Sequence, residues 1–230
     1  MLGFGFSAKP CPHDYRIVEQ ADLCEALVSH LNLQEFHVLA HDYGDTVAQE
    51  MLARQNVQQG AGRWLSCLFL NGGLFPETHN ALLVQRLLLG RLGFLVRHAF
   101  SKASMRKSFD RVFGPDTPTS DEELNAFWDL FTLDNGQRNL HRLIHYMTDR
   151  RINRERWLLA LQQACCPIGL INGSVDPVSG EHMVARFEEL VGGEHFIRRL
   201  PAIGHYPQVE SPLEVQAYYL EFLAAMEPAG

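Results

Sequence analysis

The stretch FHVLAHDYGDT, Phe36 to Thr46, is an apolar run that stops on His41 and Asp42, with Gly44 and Asp45 close behind. Closing a buried strand on an unpaired carboxylate costs several kcal/mol. The order Ala40-His41-Asp42-Tyr43-Gly44 offers a way around that cost. A small residue two before and a glycine two after an apex residue, between a strand and a helix, describe a sharp strained turn in which strand and helix approach closely. The apex side chain then projects above a sheet at a helix start, where N–H groups and the helix dipole favour an anion. An Asp at such a junction is equally well an ordinary N-cap, so the surrounding sequence has to decide.

Working outward, the chain alternates between helical and strand periods, which predicts α/β architecture. Ile17, Ala21, Cys24, Val28 and Leu31 recur at helical steps, predicting an amphipathic helix over Arg16 to Leu31. FHVLA reads as a short buried strand, followed by a helix over Thr46 to Arg54. WLSCLFLN (Trp64–Asn71), PIGLING (Pro167–Gly173) and HFIRRL (His195–Leu200) read as three further strands. Helices are predicted over Gly180 to Leu190 and Pro212 to Ala225. Between Gly73 and about Arg156 the alternation stops, and helix-like segments are broken by FGPDTPTSDEE (Phe113–Glu123). Residues 1–73 and 157–230 are therefore expected to form one α/β core, with 74–156 as an inserted helical cap.

Composition narrows the class. With 230 residues, 46% apolar and 10% aromatic, the chain can bury a substantial core. Net charge is −7 and no basic stripe runs along it, which argues against nucleic acid as a partner. Cys11, Cys24, Cys67, Cys165 and Cys166 are odd in number and lack C-x-x-C spacing, as expected of free thiols in a reducing, cytoplasmic setting. The N-terminus lacks the pattern of a signal peptide. The most apolar segment, Ala81 to Val96, is interrupted by Gln85, Arg86 and Arg91, against a membrane span. It reads as a helix packed over a pocket, or as one lying on a membrane surface.

Two downstream segments favour the sharp turn over the N-cap. INGSVDPV (Ile171–Val178) puts Asp176 after the third strand, and LPAIGHYPQVESP (Leu200–Pro212) puts His205 after the fourth. Both loops lie at C-terminal strand ends, where open α/β sheets hold ligands. The chain order is Asp42, acid, histidine.

With these residues the sequence resembles the α/β-hydrolases, and within them the branch of epoxide hydrolases and haloalkane dehalogenases whose H-D-[WY]-G turn carries an Asp nucleophile. It is most similar to the mesoderm-specific transcript-like proteins, on LGFGFSAKPCPHDY, HDYGDTVAQE, NGGLFPETH and GHYPQVESP. The resemblance implies an α/β-hydrolase fold with Asp42 as nucleophile, forming an alkyl ester with substrate. His205, oriented by Asp176, would activate the water that resolves the ester, and a histidine neutral at pH 7 suits that step. The Tyr43 N–H would hold the oxyanion. Tyr146 would serve as acid and, with Trp128, contact a small apolar organic substrate; no cofactor or metal is implied.

The sequence departs from that pattern in two places. The family's H-G-x-P loop and the strands beside FHVLA are missing, so the chain reads as an N-terminally shortened form. One oxyanion donor is worth about 3 to 4 kcal/mol of transition-state stabilisation. FHVLA would become an exposed sheet edge open to self-association, which also leaves room for a catalytically silent binding or assembly role. In addition, Tyr43 stands where most members of the branch carry Trp, and the cap offers a single tyrosine. The first makes halide chemistry the less expected; the second falls short of the two cap tyrosines that epoxide hydrolases generally use, so epoxide chemistry would run with one tyrosine acid, and an ester substrate stays open.

The remaining candidates have plainer readings. Ser7 reads as a turn residue, His41 as a structural hydrogen-bonder, Asp45 as a first-turn acid favoured by the dipole, and Trp157 as hinge packing. His141 and His145 have metal-ligand spacing without a completing carboxylate. Phe127, Trp128, Phe131 and Tyr146 are expected on the inner face of the cap.

Overall fold

The computed structural model describes residues 1–80, 83–90, 93 and 100–226. Helix α1 (Ile17–His30) leads into β1 (Glu35–Ala40), which turns directly into α2 (Tyr43–Asn56) and returns as β2 (Arg63–Phe69). A run of helices follows: α3 (Leu83–Leu89), α4 (Lys102–Val112), α5 (Asp121–Thr132), α6 (Leu140–Leu143), α7 (Tyr146–Ile152) and α8 (Arg154–Gln162). The chain then re-enters the sheet as β3 (Ile168–Gly173), crosses over through α9 (Glu181–Val191) to β4 (Phe196–Leu200), and ends in α10 (Pro207–Glu210) and α11 (Pro212–Ala224).

The described strands are all parallel and lie in the order β1-β2-β3-β4. Ala40 pairs with Phe69, and Gly173 with Leu200, so the C-terminal ends of β1, β3 and β4 open on one rim. Every residue of β3 is buried, as expected of a parallel strand covered on both faces. Consecutive residues serve opposite faces. Phe69 and Leu170 pack with Leu52, Trp157 and Phe187, whereas Leu68 and Ile171 pack with Leu200 and Phe222. Each such large side chain contributes roughly 1.5–3 kcal/mol on burial.

A third apolar cluster joins α4 and α5 through Met105, Phe109, Val112, Phe113 and Leu124. The tail of the FGPDTPTSDEE break is the start signal of α5. Ser120 and Glu123 form a reciprocal capping box that satisfies the first-turn donors.

Helix α2 begins at Tyr43 rather than the expected Thr46, because the turn at Asp42 leaves no loop before it. FHVLA, read from its composition as a buried strand, is the edge strand among the described residues that the absence of neighbouring strands predicts, so only Ala40 is buried and Leu39 is 46% exposed. Of the segment Ala81 to Val96, residues 83–89 form α3, while 81, 82, 91, 92 and 94–96 lie outside the described residues. No helix among the described residues is long and apolar enough to cross a membrane.

Candidate functional site

Asp42 sits at the junction of β1 and α2 with φ +51° and ψ −109°. A positive φ at a non-glycine residue costs about 1–3 kcal/mol and persists only where the surroundings over-determine it. Here they do: the Asp42 N–H donates to Asn71 O at 3.0 Å, and its carbonyl accepts from Arg150 Nη2 at 3.3 Å. The Gly44 N–H donates to His41 O at 2.8 Å. The expected close approach at Gly44 is absent, since a Cβ placed there would meet only Met1 Cε, at 3.8 Å. The tight glycine lies elsewhere on the rim. A Cβ at Gly173 would fall 2.0 Å from Gly204 O, in the loop that carries His205.

The three residues named from the sequence converge. His205 Nδ1 donates to Asp176 Oδ2 at 2.7 Å, and its Nε2 stands 3.8 Å from Asp42 Oδ1. Asp176 is wholly enclosed and also accepts from Val178 N (2.8 Å), Ser179 N (3.1 Å), Ser179 Oγ (2.7 Å) and Asn71 Nδ2 (3.1 Å). Burial alone would push the Asp176 pKa up; His205 and these donors reverse that and hold it below the usual carboxylate range. Burial likewise opposes ionisation of Asp42, but His205, His41 and Arg150 draw its pKa well down. The Asp42 side chain remains 38% accessible, so the ionised oxygen faces an open site.

His205 differs from expectation. Burial disfavours its charge, yet Asp176 and Asp42 on either side push its pKa up to about 10. The two carboxylates thus favour the imidazolium form of the resting ring over the neutral one. His41 has the structural role expected of it, donating from Nε2 to the His205 carbonyl at 2.7 Å.

The Tyr43 N–H, at the first position of α2, meets no acceptor among the described residues. The Tyr43 hydroxyl donates to Tyr15 O at 3.2 Å. Tyr146 is buried against Tyr43, 5.5 Å between ring centroids, and the Arg150 guanidinium lies 4.5 Å over its face. Burial raises the Tyr146 pKa, keeping the phenol protonated. Trp128 is not on the wall of the apolar cavity of about 350 Å³ beside the site. Phe109, Phe127, Phe131 and Tyr206 line it instead, and Trp128 packs behind, 5.7 Å from Phe131.

Asp45 departs furthest from its sequence reading. It is completely buried, neither carboxylate oxygen has a hydrogen-bond partner, and burial together with Asp42 pushes its pKa well up. A neutral acid enclosed beneath the turn replaces the expected dipole-stabilised anion. His141 and His145 fall in and after α6, and no group of three or more metal-ligating side chains is found among the described residues.

Sequence reasoning overlooked several residues. Tyr206 packs its ring 5.0 Å from that of His205 and closes the apolar cavity. Glu210 accepts from the amides on both sides of His205, Gly204 N–H and Tyr206 N–H, each at 2.9 Å. It also accepts from Gly114 N–H and Thr117 Oγ1, each at 2.7 Å, tying the histidine loop to the α4–α5 connection. Both residues lie inside GHYPQVESP, where the fixed offset from His205 was the available signal. Arg150, buried in α7, gave no such signal, because a basic residue on a helix ordinarily reads as solvated.

Comparison with known proteins agrees with this fold. The profile described as "Alpha/beta hydrolase family" matches residues 1–217. The mesoderm-specific transcript homolog protein of Bos taurus is 39% identical over 236 residues, covering 96% of this chain and 68% of that protein. A putative hydrolase, LipZ, of Mycobacterium tuberculosis is 35% identical over 211 residues, covering 92% of this chain and 73% of its own. Among solved structures, the haloalkane dehalogenase DbeA from Bradyrhizobium elkani superposes with a TM-score of 0.76 at 21% identity, over 99% of this chain and 80% of that one. At that identity the last likeness concerns the fold alone.

Proposed function

This chain belongs to the alpha/beta hydrolase family, and on that premise we propose that it hydrolyses a small apolar electrophile of the epoxide type through a covalent ester on Asp42. The observation that carries the reading is the Asp42 carboxylate at a strained apex, 3.8 Å from a histidine whose other nitrogen is bonded to Asp176. We assign residues 74–156 as the cap over this site.

In the first step an Asp42 oxygen attacks an epoxide carbon and the ring C–O bond breaks. The released oxygen takes a proton from a phenol, with Tyr146 and Tyr206 as the buried candidates, both kept protonated by burial. In the second step neutral His205 takes a proton from water, and the hydroxide attacks the Asp42 carbonyl carbon. The tetrahedral oxyanion accepts the unused Tyr43 N–H. The acyl C–O bond then breaks, the departing alkoxide takes the proton of the added hydroxyl, the diol leaves, and the carboxylate is restored beside a reprotonated His205.

The resting charge state fits this order. A nucleophile must be anionic, and the imidazolium helps keep Asp42 so. Esterification then removes one of the two charges that hold the His205 proton, lowering its pKa, and the proton passes to the phenolate left by the first step, giving the base form that the second step needs.

The test is intact-mass analysis of His205→Ala after exposure to styrene oxide. The expected result is one added epoxide mass on the peptide that contains Asp42, absent in the Asp42→Asn/His205→Ala pair. An unmodified His205→Ala protein that remains folded would refute the ester intermediate and favour a silent, binding role for the fold.

A further inference from the structure

A second cavity, of about 310 Å³, differs in character from the apolar one. Its wall includes His79, Arg86, Arg150 and Arg151, with Leu89 and Met147, and no acidic side chain. This reverses the sign of the molecule as a whole, which carries 27 Asp and Glu against 20 Lys and Arg. The reversal is written into the sequence. From Thr78 to Phe109 there is no Asp or Glu, while Arg86, Arg91, Arg97, Lys102, Arg106 and Lys107 are present. A concave wall of one sign raises the local concentration of the opposite charge.

Arg150 is the anchor. Its side chain is almost wholly buried, and no carboxylate lies within ion-pair distance of it among the described residues. The nearby Asp45 does not substitute, being held neutral by burial. Three of the five guanidinium N–H groups are engaged, by Thr46 Oγ1 at 2.7 Å, His79 Nδ1 at 3.5 Å and Asp42 O at 3.3 Å. One N–H on each terminal nitrogen is left, the two-pronged pattern that fits a planar carboxylate. His79 adds a further donor. Its Nδ1 faces Arg150, so the proton of the neutral ring lies on Nε2, which is buried and interacts with the Gln85 side chain, the group an incoming anion would replace.

We propose that this cavity is an anion subsite that takes the carboxylate of a short amphipathic substrate, while the apolar part of that substrate lies against Phe109, Phe127 and Phe131. The proposal rests on the reading of Asp42 as nucleophile. Each cavity has a wall residue in contact with the Asp42–His205 pair: Arg150 donates to the Asp42 carbonyl, and Tyr206 meets the His205 ring edge-to-face at 5.0 Å. A substrate anchored at both ends would present its electrophilic carbon between them, converting binding energy at a remote group into orientation at the reacting centre. Arg86 and Arg151, exposed at the mouth, would draw the anion in, and Arg150 with His79 would fix it.

The test is calorimetric titration of the full chain at pH 7 and low salt with hexanoate, hexan-1-ol and inorganic phosphate. Hexanoate is expected to bind at least about tenfold more tightly than hexanol, and phosphate to bind more weakly than hexanoate for want of an apolar part. Replacing the exposed pair, Arg86→Gln/Arg151→Gln, is expected to weaken hexanoate about tenfold while leaving hexanol binding and the unfolding temperature unchanged. Equal affinities for hexanoate and hexanol, or hexanoate binding indifferent to the double substitution, would overturn the subsite. Phosphate binding as tightly as hexanoate would overturn the assignment to a substrate carboxylate. Styrene oxide, which bears no charge, separates the two readings. If it alkylates His205→Ala but hexanoate fails to bind, the nucleophile stands and the subsite falls; the reverse pattern sinks the nucleophile and leaves an anion site without that chemistry.

Discussion

Removing the Glu210 carboxylate is expected to disable the second half of the reaction while sparing the first. Four donors converge on that group, two of them the amides flanking His205. Hydrogen bonds to a charged acceptor are worth about 1.5–3 kcal/mol each, but Glu210 is only half-buried and water replaces part of what is lost. A net cost of about 3 kcal/mol for Glu210→Ala follows, or about 6–12 °C in unfolding temperature for a chain of this size. Glu210→Gln keeps one acceptor oxygen for the three donors on Oε2 and turns its amide against the Tyr206 N–H, at a cost of about 1 kcal/mol. The His205 main chain would keep Val112 O at 2.7 Å and His41 Nε2 at 2.7 Å but lose the fixed amides on both sides. A displacement of the imidazole by about 1 Å reduces turnover about 100-fold. In the proposed mechanism Asp42 makes the ester and His205 acts on it, so rapid-quench measurement of first-turnover ester formation should be nearly unchanged in Glu210→Ala, while steady-state turnover falls and ester accumulates. Glu210→Gln should recover most of the loss. If stability falls as expected while steady-state turnover is untouched, or if ester formation and turnover fall together, Glu210 does not position the histidine.

Two further consequences concern charge. Asp42→Asn mimics the neutral ester, so the His205 pKa, pushed up to about 10 in the resting site, should drop, as read by NMR titration of the ring protons; an unchanged value would contradict the proposed coupling. In the wild type, the same elevation makes His205 stabilise the fold fully below about pH 6.5 and progressively less as pH rises toward about 10. Asp45→Ala removes a buried acid whose oxygens have no partner, and should raise stability at pH 7 by about 1–2 kcal/mol in denaturant unfolding. Since the folded-state pKa of Asp45 is raised, its contribution is present below the ordinary carboxylate pKa and lost as pH climbs above it. The advantage of the variant should therefore shrink on acidification toward pH 4, and an advantage independent of pH would point to packing instead.

The sheet was legible because its strands announce themselves through burial. Gly173 and Leu200 end β3 and β4 where the apolar runs end, and the loops beyond them carry Asp176 and His205 to the same rim as Asp42. Period and punctuation suffice for that. What escaped depends on distances between segments far apart in sequence. Arg150 lies 108 residues from Asp42 and reads as an ordinary helical charge until the fold buries it. Trp128 and Phe131 are both aromatic on α5, and only the tilt of that helix decides that Phe131 faces the cavity and Trp128 does not. Asp45 was misread for a related reason. The dipole rule presumes access to water, whereas α2 is buried over most of its length, and desolvation outweighs a first-turn interaction worth at most about 1–2 kcal/mol.

That balance bears on why a carboxylate can serve at the apex at all. Asp42 and Asp45 stand three residues apart at the start of the same helix, share its dipole and lie near the same guanidinium, yet their pKa values move in opposite directions. The helix start cannot account for the difference, since it acts on both. What separates them is the imidazolium at 3.8 Å from Asp42 Oδ1 and the opening of that side chain to the site, neither of which Asp45 possesses. The ionised nucleophile is therefore a property of the Asp42–His205–Asp176 charge alternation rather than of the turn alone. Once substrate caps Asp42, the alternation is broken, and the proton that His205 holds against its own desolvation has one carboxylate fewer to retain it. In the proposed reaction, the group that keeps the nucleophile charged in the first step is thus released to act as base in the second by the product of the first.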